Sequence, residues 1–126
     1  MARWIARGAR PVHWVGSAKK DLLAFPAEVV DDFGYALGVV QLGRMPPSAK
    51  PWRGEGTGVF ELSHECGRST YRVVYTVRFE KAVYVLHCFQ KKATSGVKTA
   101  RKDVALIHRR LRTAREDYEG RHDEKS

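Results

Sequence analysis

The stretch VYVLHCFQKKATSGVKT, residues 83–99, runs an apolar strand straight into paired lysines. Val83 to Phe89 is rich in β-branched and aromatic residues, the composition of a buried strand. Gln90, Lys91 and Lys92 end it abruptly, and Lys98 and Arg101 lead on into a helical pattern. A rigid strand end carrying adjacent ammonium groups can hold a polyanion. An isolated Lys-Lys pair is more simply a solvated strand end, so the choice depends on what surrounds it.

Working outward, Tyr71, Val73, Tyr75, Val77 and Phe79 alternate with Arg72, Val74, Thr76 and Arg78. That period of two predicts a half-covered strand over Thr70–Phe79. A further strand is expected over Val59–Glu65 and another over Ala82–Gln90. Cys66 to Ser69 and Glu80-Lys81 are short enough for hairpin turns, which makes the meander antiparallel. Ahead of it, Arg44 to Gly58 is a long Pro/Gly-rich connection without periodicity, and long ordered loops tend to be functional. Val29 or Val30, Phe33, Leu37 and Val40 recur at helical steps between Pro26 and Gly43. With a shorter helix over Asp21–Ala24, capped by Ser17, they form a helix hairpin. Gly34 and Gly38 weaken the longer helix, and close packing would account for them. Pro11 puts a short strand over Arg10–Val15 at a strand start or sheet edge. A last helix from a cap at Thr99 to about Tyr118 carries the stripe Val104, Ile107, Leu111, Ala114 and Tyr118. The fold class is therefore α+β. Residues 1–9 are expected to be a flexible N-terminus, 10–118 a single domain, and 119–126 a disordered tail.

The chain has 126 residues, 43% of them hydrophobic, enough for one modest core without metal or disulfide staples. No run approaches the roughly 18 apolar residues of a membrane span, and the basic start lacks the apolar stretch of a secretory signal. A cytoplasmic location follows as the expectation. Cys66 and Cys88 read as free thiols, and the scattered histidines show no zinc spacing, so neither a metal nor another cofactor is expected. The net charge is +9. Lys81 to Arg115 hold ten Lys/Arg against one acid, Asp103, so this segment carries as much excess charge as the whole chain. So concentrated a basic field points to a nucleic-acid or acidic-protein partner.

The blocks LHCFQKKATSGVKT, TYRVVYTV (residues 70–77), AKPWRGEGTGVFEL (49–62) and WVGSAKKDLLAFP (14–26) together resemble the phage-related, Gp49-like or HigB-like branch of the RelE/ParE toxins. The resemblance covers residues 11–118. It implies a RelE-like fold, with an N-terminal helix hairpin packed on a small twisted antiparallel sheet and a C-terminal helix. It also implies the toxin half of a type II toxin–antitoxin system acting as a ribosome-dependent mRNA endonuclease, or mRNA interferase. The partners implied are the ribosome and mRNA, together with a cognate antitoxin carrying a helix-turn-helix DNA-binding domain, through which the chain could form an oligomer. No membrane partner is expected. A ParE-like, non-enzymatic inhibitor of DNA gyrase and a non-toxic phage-derived binding module are the alternatives.

RNA cleavage of this class requires in-line attack by a 2′-hydroxyl, an acceptor for its proton, and cations placed where phosphorane charge develops. Arg72 is the first candidate. It alternates with the apolar face of a central strand, corresponds to the arginine of the family's YR-x-x-Y segment, and offers a bidentate fork to a phosphate. Its structural alternative is an ion pair with Glu61 or Glu65. Lys91 and Lys92 match the lysines of FQKK, and strand alternation lets one of them face the substrate, Lys91 if the strand stays regular. Lys50 and Arg53 match the family's basic K-P-x-x-G loop and, with Lys98, Arg101, Arg109, Arg110 and Arg112, form the candidate nucleic-acid surface. Glu61 and His64 are the candidate proton acceptors. Ser63 stands where many relatives carry a basic residue, and residues 93–97 lack the tyrosine or histidine some of them use. His87 reads as a core histidine, and Tyr71, Tyr75 and Phe89 as core aromatics before base-stacking platforms. The antitoxin is expected on the N-terminal helices, with Asp31 and Asp32 at the rim of its site; direct capping of Arg72, Lys91 and Lys92 by antitoxin carboxylates is the alternative.

Overall fold

Three consecutive antiparallel strands form the centre of the sheet, as their alternation requires. The structure, a computed structural model, describes residues 9–92 and 100–122, with Lys92 described by its backbone. The elements are β1 (Val12–Trp14), α1 (Ala18–Leu23), α2 (Ala27–Gln41), β2 (Lys50–Pro51), β3 (Val59–Cys66), β4 (Ser69–Thr76), β5 (Val83–Lys92) and α3 (Arg101–His122). The sheet order is β1-β5-β4-β3-β2. The β3–β4 turn is Gly67-Arg68, with Gly67 at φ +64°. A two-residue hairpin with glycine first favours that conformation.

Both edges of the sheet add to the expected meander. β1 lies beside β5 and runs parallel to it, so the sheet is mixed. Val83 N–H donates to Pro11 O at 2.9 Å and Val15 N–H to Val85 O at 3.0 Å, extending that pairing at both ends. On the other edge, Lys50 and Pro51 pair with Glu61 and Phe60, giving part of the long loop a strand's register. β4 stops at Thr76, three residues before the expected end. There Thr76 Oγ1 donates to Gly58 O and accepts from Arg78 N–H, turning the chain toward the loop.

The helix hairpin covers one face of the sheet. Val29, Phe33, Ala36, Leu37 and Val40 of α2 are buried against Leu62, Tyr71, Val73, Tyr75 and Val85. The expected stripe is thus borne out, but Gly34 and Gly38 have open space where a Cβ would stand, so close packing does not explain them. Ser17 makes no side-chain cap; its hydroxyl donates to Asp21 instead. α3 covers the other face through Ile107, Leu111 and Ala114, packed with Val59, Val74, Leu86 and Phe89. Val104 lies outside that stripe and is 41% exposed. The expected Thr99 cap lies outside the described residues. α3 runs to His122, so residues 119–122 are helical where a disordered tail was expected. An ion pair between Arg121 and Asp117 and a ring contact between Tyr118 and His122 support that last turn.

Candidate functional site

Strand register decides which polar side chains meet. Glu61, Val74 and His87 form one cross-strand row on β3, β4 and β5. Ser63, Arg72 and Phe89 form the next row, and Glu65, Thr70 and Lys91 the third. Opposed residues share a face, and Val74 and Phe89 belong to the α3-side core. Arg72, Glu61 and Lys91 therefore occupy the α3 face of the sheet, with Lys50 across from Glu61 on β2. The pairing of β4 with β5 shifts between Val74 and Tyr75, but it is regular from His87 to Lys92. Lys91 thus keeps its expected face. The side chain of Lys92 and the whole of Lys98 lie outside the described residues.

Arg72 Nη1 donates to Glu61 Oε1 at 2.6 Å. This is the ion pair weighed as the structural alternative, and it lies inside the candidate site. The two side chains are 23% and 17% exposed. Arg72 Nε is buried without a hydrogen-bond partner among the described residues. Lys91 is held below the usual lysine range, first by lost hydration and then by the Arg72 cation, with Glu61 and Asp103 pulling the other way. Two cations and a carboxylate that feel one another can bind a phosphate, stabilise charge developing on it, and accept a proton.

Below this group lies a pair the sequence did not single out. His87 Nε2 and Asp103 Oδ1 are 2.8 Å apart, joining β5 to the first turn of α3. The imidazole is buried as expected and stacks on Phe89 at 4.7 Å and 15°. Its Nδ1 has no hydrogen-bond partner among the described residues. Asp103 had one visible signal: it is the lone acid in the basic segment. Its position in a first helical turn explains an acid without any partner.

His64 does not join the site. It lies on the opposite face, with Nδ1 2.8 Å from Asp32 and Nε2 3.7 Å from Glu28 of α2. Tyr71, Tyr75 and Phe89 are buried and serve packing. Burial pushes the Tyr75 hydroxyl up to about 12. Arg110 is also committed. Nη1 donates to Leu86 O at 2.9 Å and Nη2 to Ser17 Oγ at 3.1 Å. A Cβ at Gly16 (φ +57°) would come within 2.8 Å of that guanidinium. Arg110 thus ties α3 to β5 and α1 and is not an open nucleic-acid contact.

Arg53, Arg101, Arg109 and Arg112 are exposed. The loop beside the helix is ordered by Arg78, whose guanidinium donates to the carbonyls of Glu55 and Thr57. Glu55, its side chain 8% exposed, meets His108 Nδ1 of α3 at 3.0 Å. Loop and helix therefore face each other across a groove, with Arg101 at one end and Arg112 toward the other.

Residues 20–112 match the family model described as phage derived protein Gp49-like (DUF891), and the chain belongs to that family. No curated protein matches the chain. Among solved structures it is similar to a chain from the crystal structure of the toxin–antitoxin complex RelBE2 from Mycobacterium tuberculosis. The identity is 26%, over 66% of this chain and 99% of that one, with a TM-score of 0.45.

Proposed function

We propose that this Gp49-like chain is the toxin of a type II toxin–antitoxin pair and an endoribonuclease that cuts mRNA on the ribosome. The observation carrying the reading is the convergence of Arg72, Glu61 and Lys91 on one sheet face. In the proposed reaction Glu61 takes the proton of the attacking 2′-hydroxyl. Arg72 and Lys91 neutralise the charge that grows on the phosphorane oxygens, where fixed cations act most strongly. Lys91, its proton loosened by lost hydration and by Arg72, gives that proton to the departing 5′-oxygen. The products are a 2′,3′-cyclic phosphate and a 5′-hydroxyl. These side chains supply the charge and the proton transfers, so the reaction needs no metal. The site of action is the cytoplasm, where the ribosomes are; among the described residues no helix is long and apolar enough to cross a membrane.

A second reading, a non-enzymatic inhibitor of DNA gyrase, is favoured by one observation: Glu61 already neutralises Arg72. Primer extension on mRNA from expressing cells, run beside a gyrase supercoiling assay, separates the two. New 5′ ends with unaltered supercoiling support the nuclease; the reverse supports gyrase.

The same reading supplies a cognate antitoxin with a helix-turn-helix domain, and we place it on the outer face of α1 and α2. There Tyr35 and Leu42 are exposed, Gly34 and Gly38 leave room for close approach, and Asp31 and Asp32 lie at the rim. Hydrogen exchange on the co-purified complex should show protection over 21–42. Protection confined to the sheet and residues 90–98 would overturn this placement.

A further inference from the structure

We infer that the groove between α3 and the 54–58 loop is a track for the sugar–phosphate backbone of single-stranded RNA, leading away from the Arg72–Lys91 face. The inference rests on the site acting on RNA and adds where the strand lies beyond it.

The groove has two adjoining sections, of about 500 and 410 Å³, which share Glu55 and His108. Arg101 and Arg109 flank the first section, and Arg112 and Arg115 the second. All four arginines are exposed. From Arg101 to Arg115 the helix rises roughly 21 Å at about 1.5 Å per residue, room for several successive phosphates. Between the arginines the floor is apolar, with Val104 and Ala105 in the first section and Leu111 in the second. An apolar floor with guanidinium rims suits a single strand, whose bases lie against the floor while its phosphates meet the rims.

Among the described residues the one acid lining these sections is Glu55. Its carboxylate is turned into the protein against His108 rather than out toward a ligand. Arg78 is used up holding the loop carbonyls, so it fixes the groove's wall and leaves the binding to the helix. The Asp103–His87 bond pins the first turn of α3 beside the Arg72–Lys91 face. The Arg101 end of the groove, two residues from Asp103, is therefore the end nearer the proposed site of cleavage.

The test is direct binding of a fluorescent 2′-O-methyl oligoribonucleotide, which cannot be cut, without ribosomes and over a salt series. Arg112→Ala/Arg115→Ala should weaken binding about tenfold. It should also make the plot of log affinity against log salt shallower by about 1.4, two single-strand phosphate contacts. Lys19→Ala/Lys20→Ala removes the same charge from the exposed surface of α1 and should change binding far less. Arg112→Lys/Arg115→Lys should keep the slope. Equal weakening by both alanine pairs would mean attraction to net charge and would overturn the track. Polyglutamate binding as tightly as RNA would also overturn it, in favour of an acidic protein partner. Because the probe is uncleavable, the track can stand while primer extension fails to show cleavage, and the converse is equally visible.

Discussion

Replacing Arg72 by alanine separates its structural role from its proposed chemical one. The side chain makes a charge-assisted hydrogen bond to Glu61 at 2.6 Å, a class worth about 1.5–3 kcal/mol. Both partners keep around a fifth of their surface open to water, and screening moves the cost to the low end. Lys91, which interacts electrostatically with Glu61, also stays behind as a partial counter-charge. The expected loss is about 1–2 kcal/mol, a few degrees in melting temperature for a chain of this size. Losing one fixed cation from a phosphorane costs about 10²-fold, roughly 2.7 kcal/mol of transition-state stabilisation. Arg72→Ala should therefore stay folded at growth temperature while cleavage falls a hundredfold.

Glu61→Gln supplies the contrast. The amide oxygen can still accept from Arg72, so stability should fall by less than about 1 kcal/mol. The proton acceptor is lost, and cleavage should fall by about 10²–10⁴-fold. Melting curves and primer extension on the two single variants and on Arg72→Ala/Lys91→Ala read both quantities. Undiminished toxicity in a folded Arg72→Ala/Lys91→Ala protein would refute the site. Loss of activity that tracks melting temperature across all variants would refute the chemical role and leave a structural ion pair.

His64→Gln should cut mRNA at the wild-type rate, because His64 faces α2 on the other side of the sheet; a loss as large as that of Arg72→Ala would restore it to the site. Ile107, fully buried on the sheet-facing side of α3, should cost about 2–5 kcal/mol as Ile107→Ala, measured by urea denaturation. The Cys88 thiol is pushed up to about 12, chiefly by burial and then by Asp21, with Arg110 opposing. The folded protein thus holds that proton where the unfolded chain has lost it, and the stability it contributes is complete below about pH 9. As pH rises from there toward 12 stability should fall, by at most about 1.4 kcal/mol per pH unit from this group. Cys88→Ala should flatten the urea midpoint between pH 9 and 10, and a flat wild-type profile would contradict the burial.

Local signals made the centre of the fold legible. Alternation over 70–79, the Gly67-Arg68 turn and the 29–33–37–40 stripe each refer to residues within one or two elements. The β1–β5 pairing joins segments some seventy residues apart and leaves no local mark in either. Alternation also continued past Thr76 in the sequence, since Phe79 is buried like a strand residue. A hydroxyl and a guanidinium turned toward the loop, and not hydrophobicity, end β4. In the site, alternation located Arg72, Glu61 and Lys91. The same rule argues against His64, since residues 61 and 64 of one strand lie on opposite faces. The Asp103–His87 pair was illegible because each member has a sufficient local explanation: a helix N-terminus for the acid, an apolar strand for the imidazole.

That pair also decides how the basic charge is deployed. A cationic helix has little reason to lie beside a cationic sheet face, and Arg72, Lys91, Arg101 and Lys102 would repel one another if brought together by apolar contacts alone. Ile107, Leu111 and Ala114 supply those contacts further along the helix, where the sheet is apolar. At the N-terminal end, where it is not, Asp103 bonds to His87 and also draws on Lys91. A buried bond in low dielectric holds more firmly than a surface pair. The arginines of α3 can thus remain exposed along the groove, because Asp103 holds the first turn of the helix to the sheet while Arg110 and Asp117 tie it to β5 further along. Charge concentrated in sequence between residues 81 and 115 is in this way divided between the end of the strands and the length of the helix.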